Sequence, residues 1–161
     1  MTPRDIHFAS YHQAAHVVSA LLFGCRIEYV EIGNEADKIG WNLDSVSLRD
    51  TETVCGAGFE MERILGRRHE LSWNRSDDDR VLLGTIHTDR TGETLTKVER
   101  DARFTAGADS SRSLLEHGRV RGVIDKLAEE LNDAYHRGER RLEAKQISEI
   151  TALVAGVAPA I

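Results

Sequence analysis

Two histidines four residues apart constrain this chain more than any other feature. They stand in the segment His12-Gln13-Ala14-Ala15-His16. In an α-helix, residues four apart lie on nearly the same side, about 6 Å apart along the axis. Both imidazoles can then reach one tetrahedral ion, whose nitrogen ligands lie at about 2.0–2.1 Å. A shared metal therefore requires a helix here, and two ordinary helix histidines remain the alternative.

The surrounding residues predict that helix. Thr2 suits an N-cap, Pro3 the first helical position, Asp5 the positive end of the helix dipole and Gly24 the C-terminal stop. Apolar residues recur between them at helical spacing: Phe8, Tyr11, Ala15, Val18 and Leu22. The two histidines fall on the flank of this apolar stripe, where a cleft could open.

Gln13 changes what such a site could do. The segment matches the H-E-x-x-H signature of zinc proteases except that glutamine replaces the glutamate that acts as general base. Glutamine can hydrogen-bond a water but cannot accept its proton at neutral pH. Loss of a general base costs about 10²–10⁴ in rate. The segment thus predicts a chain that binds zinc and hydrolyses slowly or not at all.

Two origins of Gln13 are open. The first, which we favour slightly, is an engineered change from glutamate that would disarm the site and trap substrate. The second is a natural replacement, either in a pseudoenzyme or in an enzyme that uses another base.

Further elements follow this helix. Residues 26–32 alternate and are rich in β-branched residues, which predicts a strand; residues 38–43 predict a second extended segment, and residues 53–65 a second helix. Three acids at 77–79 precede an apolar run, and a carboxylate at a helix start can be a third metal ligand.

The order of these segments resembles the peptidase domain of the FtsH-type AAA zinc proteases. His12–His16 resembles that family's H-E-A-G-H, Ile39–Asn42 its L-G-Y-T, and Gly56–Gly66 its glycine-bounded second helix. Ser76–Asp78 resembles the A-S-N-D segment that supplies the third ligand, and Leu127–Ile147 resembles the closing helices. No segment of these 161 residues resembles the ATPase module or the membrane anchors of the full-length family proteins, and Ala15 replaces a glycine.

The resemblance implies an α+β, mostly helical, zincin-like metallopeptidase domain spanning residues 1–161, with a small β-sheet edge and a C-terminal helical bundle. It implies Zn²⁺ held by His12, His16 and Asp78, with Asp77 or Asp79 as alternatives to Asp78. The matching glutamate, Glu62, would orient a ligating histidine, or would be an exposed helix glutamate. Other expectations concern single residues. His69 and His87 are expected to be exposed, with metal ligation as the alternative. Trp41 and Trp73 either line the cleft or pack in the core.

The same resemblance, together with composition, gives expectations for the substrate, the partners and the location of the protein. We expect hydrolysis of short or unfolded peptides, bound as a strand along an edge near residues 26–32. The family forms rings, which leaves a homo-oligomer open.

The net charge of −6 argues against a nucleic-acid partner. No apolar run reaches the ~20 residues of a membrane span, and no signal-peptide pattern is present, so a cytoplasmic protein is expected. Cys25 and Cys55 are expected to be buried and reduced, with a disulfide between them as the alternative.

The second half is expected to be mainly helical. Residues 85–108 are polar and predict a loop with a short helix or a substrate-binding segment. Residues 120–134 predict an amphipathic helix that ends near Gly138, and residues 143–155 a last helix. The apolar tail 153–161 would dock on the body or on a second subunit.

Three functions of different classes are consistent with these patterns. The first is a zinc-dependent peptidase impaired by Gln13, and the second a non-catalytic module that binds a peptide or protein partner. The third is a helical interaction domain without metal.

Overall fold

The computed structural model describes residues 1–33 and 37–154. These residues form seven α-helices and one small three-stranded sheet, which agrees with the expected α+β, mostly helical class. The elements are α1 Pro3–Leu22, β1 Ile27–Glu31, β2 Lys38–Trp41, α2 Leu48–Ile64, α3 His69–Arg75, α4 Asp77–Thr91, α5 Lys97–Glu116, α6 Gly118–His136, β3 Arg141–Glu143 and α7 Ala144–Thr151, followed by a 3₁₀ turn, Ala152–Val154.

Helix α1 begins and ends where the sequence predicts. The Thr2 hydroxyl accepts a hydrogen bond from the Asp5 amide at 3.1 Å, and the Asp5 carboxylate accepts one from the Thr2 amide at 3.2 Å. This capping box satisfies amides that the first turn leaves unpaired. At the other end Gly24 has φ +83°, a conformation that favours glycine and turns the chain toward β1.

The sheet is antiparallel, and β1 is its central strand. The order is β2–β1–β3, with Val30 of β1 opposite Ile39 of β2 and Leu142 of β3. The expectation that a peptide adds beside residues 26–32 is therefore wrong, since both edges of β1 are already paired. Of the two edge strands, β2 carries Trp41, whose ring lies near the His16 ring of α1. Strand β3 was not predicted because its three residues are too few to show an alternating pattern.

The core lies between α1, α2, α5 and α6, and the crossing of α2 with α5 is unusually close. A Cβ on Gly56 would lie 2.4 Å from the Ala108 amide nitrogen, and one on Gly107 would lie 2.1 Å from the Glu52 carbonyl oxygen. The neighbours are backbone atoms, which cannot rotate away. Both glycines are therefore required by the approach of the two helices.

We expect Gly107→Ala to lower the free energy of unfolding by about 1–3 kcal/mol, the usual cost of overpacking a core. Gly122→Ala in α6 is the matched control, because Gly122 is exposed and a Cβ there meets no atom within 4 Å. Gly122→Ala is expected to raise the free energy of unfolding by about 0.4–1 kcal/mol. Urea unfolding of the two variants measures both, and equal effects would contradict the close crossing.

Of the remaining expectations for the fold, some agree with the structure and others do not. Residues 85–108 are mostly helical rather than a loop, because α4 runs on to Thr91 and α5 begins at Lys97. The amphipathic helix, the turn at Gly138 and a last helix agree with prediction, although α7 ends at Thr151. Both cysteines are buried and unpaired. The tail from residue 155 lies outside the described residues. Over the described part of the chain, no helix combines the length and apolar character that crossing a membrane requires.

Candidate metal centre

The two histidine rings of α1 point to the same place in the interior. His12 is 3% exposed and His16 is 1% exposed, and their Nε2 atoms are 3.0 Å apart. His16 Nδ1 donates to the Val54 carbonyl at 2.8 Å, and His12 Nδ1 donates to a Glu62 carboxylate oxygen at 2.6 Å. Because each Nδ1 donates to a partner, the two Nε2 atoms are the ones left to share an ion or, in its absence, a proton.

Helix α2 lies against the rings because it has a glycine at the contact. A Cβ on Gly58 would be 2.5 Å from His12 Nε2 and 2.6 Å from His16 Nε2. Any larger residue would occupy the space beside the two nitrogens. Gly58 is one of the residues whose importance the sequence patterns did not indicate.

The third group at this point is Asp79, at the start of α4. One of its carboxylate oxygens, Oδ2, lies 2.9 Å from His12 Nε2 and 3.2 Å from His16 Nε2. Asp78, the expected ligand, is exposed at the rim of the neighbouring cleft, and Asp77 is exposed as well. The structure thus brings together the two histidines and the aspartate one residue further along than the motif alignment placed it.

The register of α4 explains this choice. Arg80 is 5% exposed; its guanidinium lies 3.9 Å from the centre of the Trp73 ring and donates to the Trp73 carbonyl at 2.6 Å. Leu83, four residues after Asp79, is 1% exposed. Since residues four apart share a helix face, Asp79 belongs to the inward face and Asp78 to its solvated side. Asp78 and Leu82 have the same spacing, so the sequence alone did not separate the two aspartates.

The spacing of the three groups fits a small cation. Four tetrahedral ligands at about 2.0–2.2 Å from an ion lie about 3.3–3.6 Å from one another. The atom pairs here are 2.9–3.2 Å apart, within a few tenths of an ångström of that value. His12, His16 and Asp79 are also a group in the described chain whose ligand atoms all lie within 4.8 Å of one another. Two nitrogen donors and one oxygen donor suit zinc better than calcium or magnesium, which prefer oxygen alone.

The charges around the rings favour a positive charge between the two carboxylates, Asp79 and Glu62. Burial alone lowers the pKa of His12, but hydrogen bonds to Asp79 and Glu62 outweigh burial and raise its pKa to about 9. Burial alone raises the pKa of Asp79, but the charge and hydrogen bonds of His16 and His12 bring it well below its usual range. The two carboxylates therefore hold a positive charge between them, which a proton supplies in the absence of metal.

Glu62 occupies the position expected of an orienting group. Its side chain is 0% exposed, and one oxygen accepts the His12 Nδ1 proton. The alternative of an exposed helix glutamate is excluded by this burial. The other oxygen pairs with Arg67, a residue for which the sequence patterns gave no signal.

Gln13 lines the same cleft as His12 and Asp79. It is 4% exposed, and its Nε2 donates to the Glu31 carbonyl at 3.4 Å. The cleft has a volume of about 520 Å³. Its lining includes five aspartates, Asp5, Asp37, Asp77, Asp78 and Asp79.

The other candidate side chains lie apart from this centre. His69 is exposed and stacks on Trp73, whereas His87 is buried at 7% exposure, contrary to expectation. Trp73 packs with the aromatic cluster of α2 and α5, and Trp41 lies edge-on to the His16 ring with centroids 5.7 Å apart. Of the two tryptophans, Trp41 is therefore the one next to the site.

Comparison of the chain with protein-family models and with curated proteins finds no match.

Proposed function

We propose that this chain is a zinc-binding, metallopeptidase-type hydrolase whose general-base position is occupied by Gln13. The observation that carries the proposal is the convergence of His12 Nε2, His16 Nε2 and the Asp79 carboxylate on one point beside an open cleft. Three protein ligands with a fourth position open to solvent are typical of catalytic zinc. The resemblance to the FtsH-type peptidase domain supports the same interpretation.

Each group has a distinct part in this proposal. His12, His16 and Asp79 would hold the ion, and Glu62 would orient the His12 ring. Bound zinc supplies a more acidic water and polarises a substrate carbonyl. Gln13 lies where the proton acceptor belongs and can orient a water by hydrogen bonding, but it takes no proton. The chain as it stands is therefore expected to turn over slowly or not at all.

The sheet edge and a neighbouring cavity favour a peptide substrate. Strand β2, which ends at Trp41, is an edge strand, and no described strand pairs with the outer side of β2. The Trp41 ring lies edge-on to the His16 ring. An extended peptide could add there through main-chain hydrogen bonds. A cavity of about 280 Å³ lined by Trp41, Leu82 and Ile86, among others, lies at the end of this strand and could take an apolar side chain. A short or unfolded peptide meets these requirements.

A second candidate is a non-catalytic binding module. It is favoured by Gln13 itself, which is buried and tied to the Glu31 carbonyl, so that the site retains its ligands without a base. Such a module would bind a peptide or protein partner in the same cleft, and its affinity would be independent of the residue at position 13.

Metal analysis tests the centre directly. We expect the chain purified without added metal to contain about one zinc per molecule by elemental analysis. We also expect that a chelator removes it and that zinc returned at 100 times its Kd stabilises the fold by about 2.7 kcal/mol. A chain that contains no zinc and takes up none would contradict the proposal. One iron per chain would instead indicate the two-histidine, one-carboxylate oxygenase type of centre and would contradict it equally.

A further inference from the structure

The C-terminal turn of α2 places a charged pair directly behind the metal centre. Gly66 has φ +81°, the Gly66 amide donates to the Arg63 carbonyl at 2.9 Å, and the Arg67 amide donates to the Glu62 carbonyl at 3.0 Å. These two bonds define a Schellman motif, in which the residue after the glycine folds back over the last turn. The motif therefore brings Arg67 to Glu62 by backbone geometry alone.

The contact made by this turn is ionic where an apolar one is usual. In Schellman motifs the two residues in these positions frequently make a hydrophobic contact. Here a guanidinium nitrogen of Arg67 pairs with Glu62 Oε1, while Glu62 Oε2 accepts from His12 Nδ1 at 2.6 Å. The carboxylate is thus held at both oxygens, one by α1 and one by the turn after α2.

Arg67 is itself fixed by α1. Its side chain is 9% exposed, its guanidinium lies 5.0 Å from the centre of the Phe8 ring, and a second nitrogen lies 3.6 Å from the Asp5 carboxylate. A side chain held by two neighbours loses little further freedom when it pairs with a third group, so it can set the angle of Glu62.

We propose that Arg67 is a positioning residue of the metal centre, which aims the Glu62 carboxylate at His12 Nδ1 and so fixes the ring whose Nε2 faces the ion. The proposal rests on the zinc centre proposed above. Outer partners of ligating histidines change metal affinity by about 10- to 100-fold when they are removed. Arg67 acts through such a partner, and we place its effect at the lower end of that range.

The test compares zinc affinity in four variants of the full chain, by competition with a chromogenic chelator. Arg67→Gln is expected to weaken zinc binding about tenfold. Arg67→Lys, which keeps a charge able to reach Glu62, should recover most of that loss. Arg68→Gln is the matched control. Arg68 is 79% exposed and its ion pair with Glu70 is long, at 3.6 Å, so the zinc affinity of the variant should stay within about twofold of wild type. Arg67→Met keeps the apolar stem beside Phe8 and replaces Arg67→Gln if the glutamine variant does not fold.

Epistasis identifies the route of the effect. In a Glu62→Gln background, Arg67→Gln should cause no further loss of zinc affinity, because the carboxylate that Arg67 aims is gone. A merely structural role for Arg67 would give the same loss in both backgrounds and would overturn the proposal. So would an Arg67→Gln variant that is folded and binds zinc as tightly as wild type.

A readout on metal-free protein separates this proposal from the zinc proposal. The His12 Nδ1 proton, held in a 2.6 Å hydrogen bond, should give a strongly downfield NMR signal that Arg67→Gln shifts or broadens and Arg68→Gln does not. If wild type binds no zinc, the metal centre fails, yet this signal still tests the Arg67–Glu62–His12 connection. An unchanged signal in Arg67→Gln would overturn the connection itself.

Discussion

Gln13→Glu is expected to raise the rate of peptide hydrolysis by the zinc-loaded chain about 10²–10⁴-fold, the usual contribution of a general base. The change is nearly isosteric and supplies a proton acceptor beside the metal position. It also exchanges the amide that donates to the Glu31 carbonyl for an oxygen that this carbonyl repels, which turns the new carboxylate toward the cleft. Cleavage of unstructured peptides, scored by mass spectrometry, measures the effect.

The peptide panel should include basic sequences, because five aspartates line the cleft. Gln13→Asp is the matched control: it brings the same charge on a side chain one methylene shorter, and a small or absent gain is expected. Activity of Gln13→Glu must also disappear with a chelator. A zinc-loaded Gln13→Glu variant that binds peptides as wild type does and cleaves none would favour the non-catalytic binding module.

The elements around the histidines were predictable because their signals are local. The helix that carries the histidines follows from Thr2, Pro3, Asp5 and Gly24, each of which acts within one turn of its own position. The same is true of the ends marked by Gly66 and Gly138, both of which have positive φ. These features need no knowledge of distant parts of the chain.

The parts that were missed depend on contacts between distant segments. The inward face of α4 is set by Arg80 packing on Trp73 of α3, so the choice of Asp79 over Asp78 needs the position of a helix that was not predicted. The central place of β1 depends on β3, which lies more than 100 residues later. The Arg67 contact requires both the turn after α2 and the helix that carries His12.

Asp79→Asn is expected to weaken zinc binding by about 100-fold or more, since removing a ligand should exceed the 10- to 100-fold cost of removing a ligand's partner. Asparagine keeps the shape of the side chain and removes the charge that the two Nε2 atoms face. In the metal-free protein the same change removes a hydrogen bond that raises the pKa of His12 to about 9, so that pKa should fall. Chelator competition and NMR titration of the ring measure the two effects.

Asp78→Asn is the control for Asp79→Asn, because it makes the same chemical change one residue earlier on the same helix. Asp78 is exposed, so its loss should change zinc affinity by no more than about threefold, through screened charge alone. The two variants have the same net charge and differ only in the face of α4 that is altered. If Asp78→Asn abolished binding and Asp79→Asn preserved it, α4 would have to be rotated by about 100° from its place in this structure, and the ligand set would be that of the motif alignment.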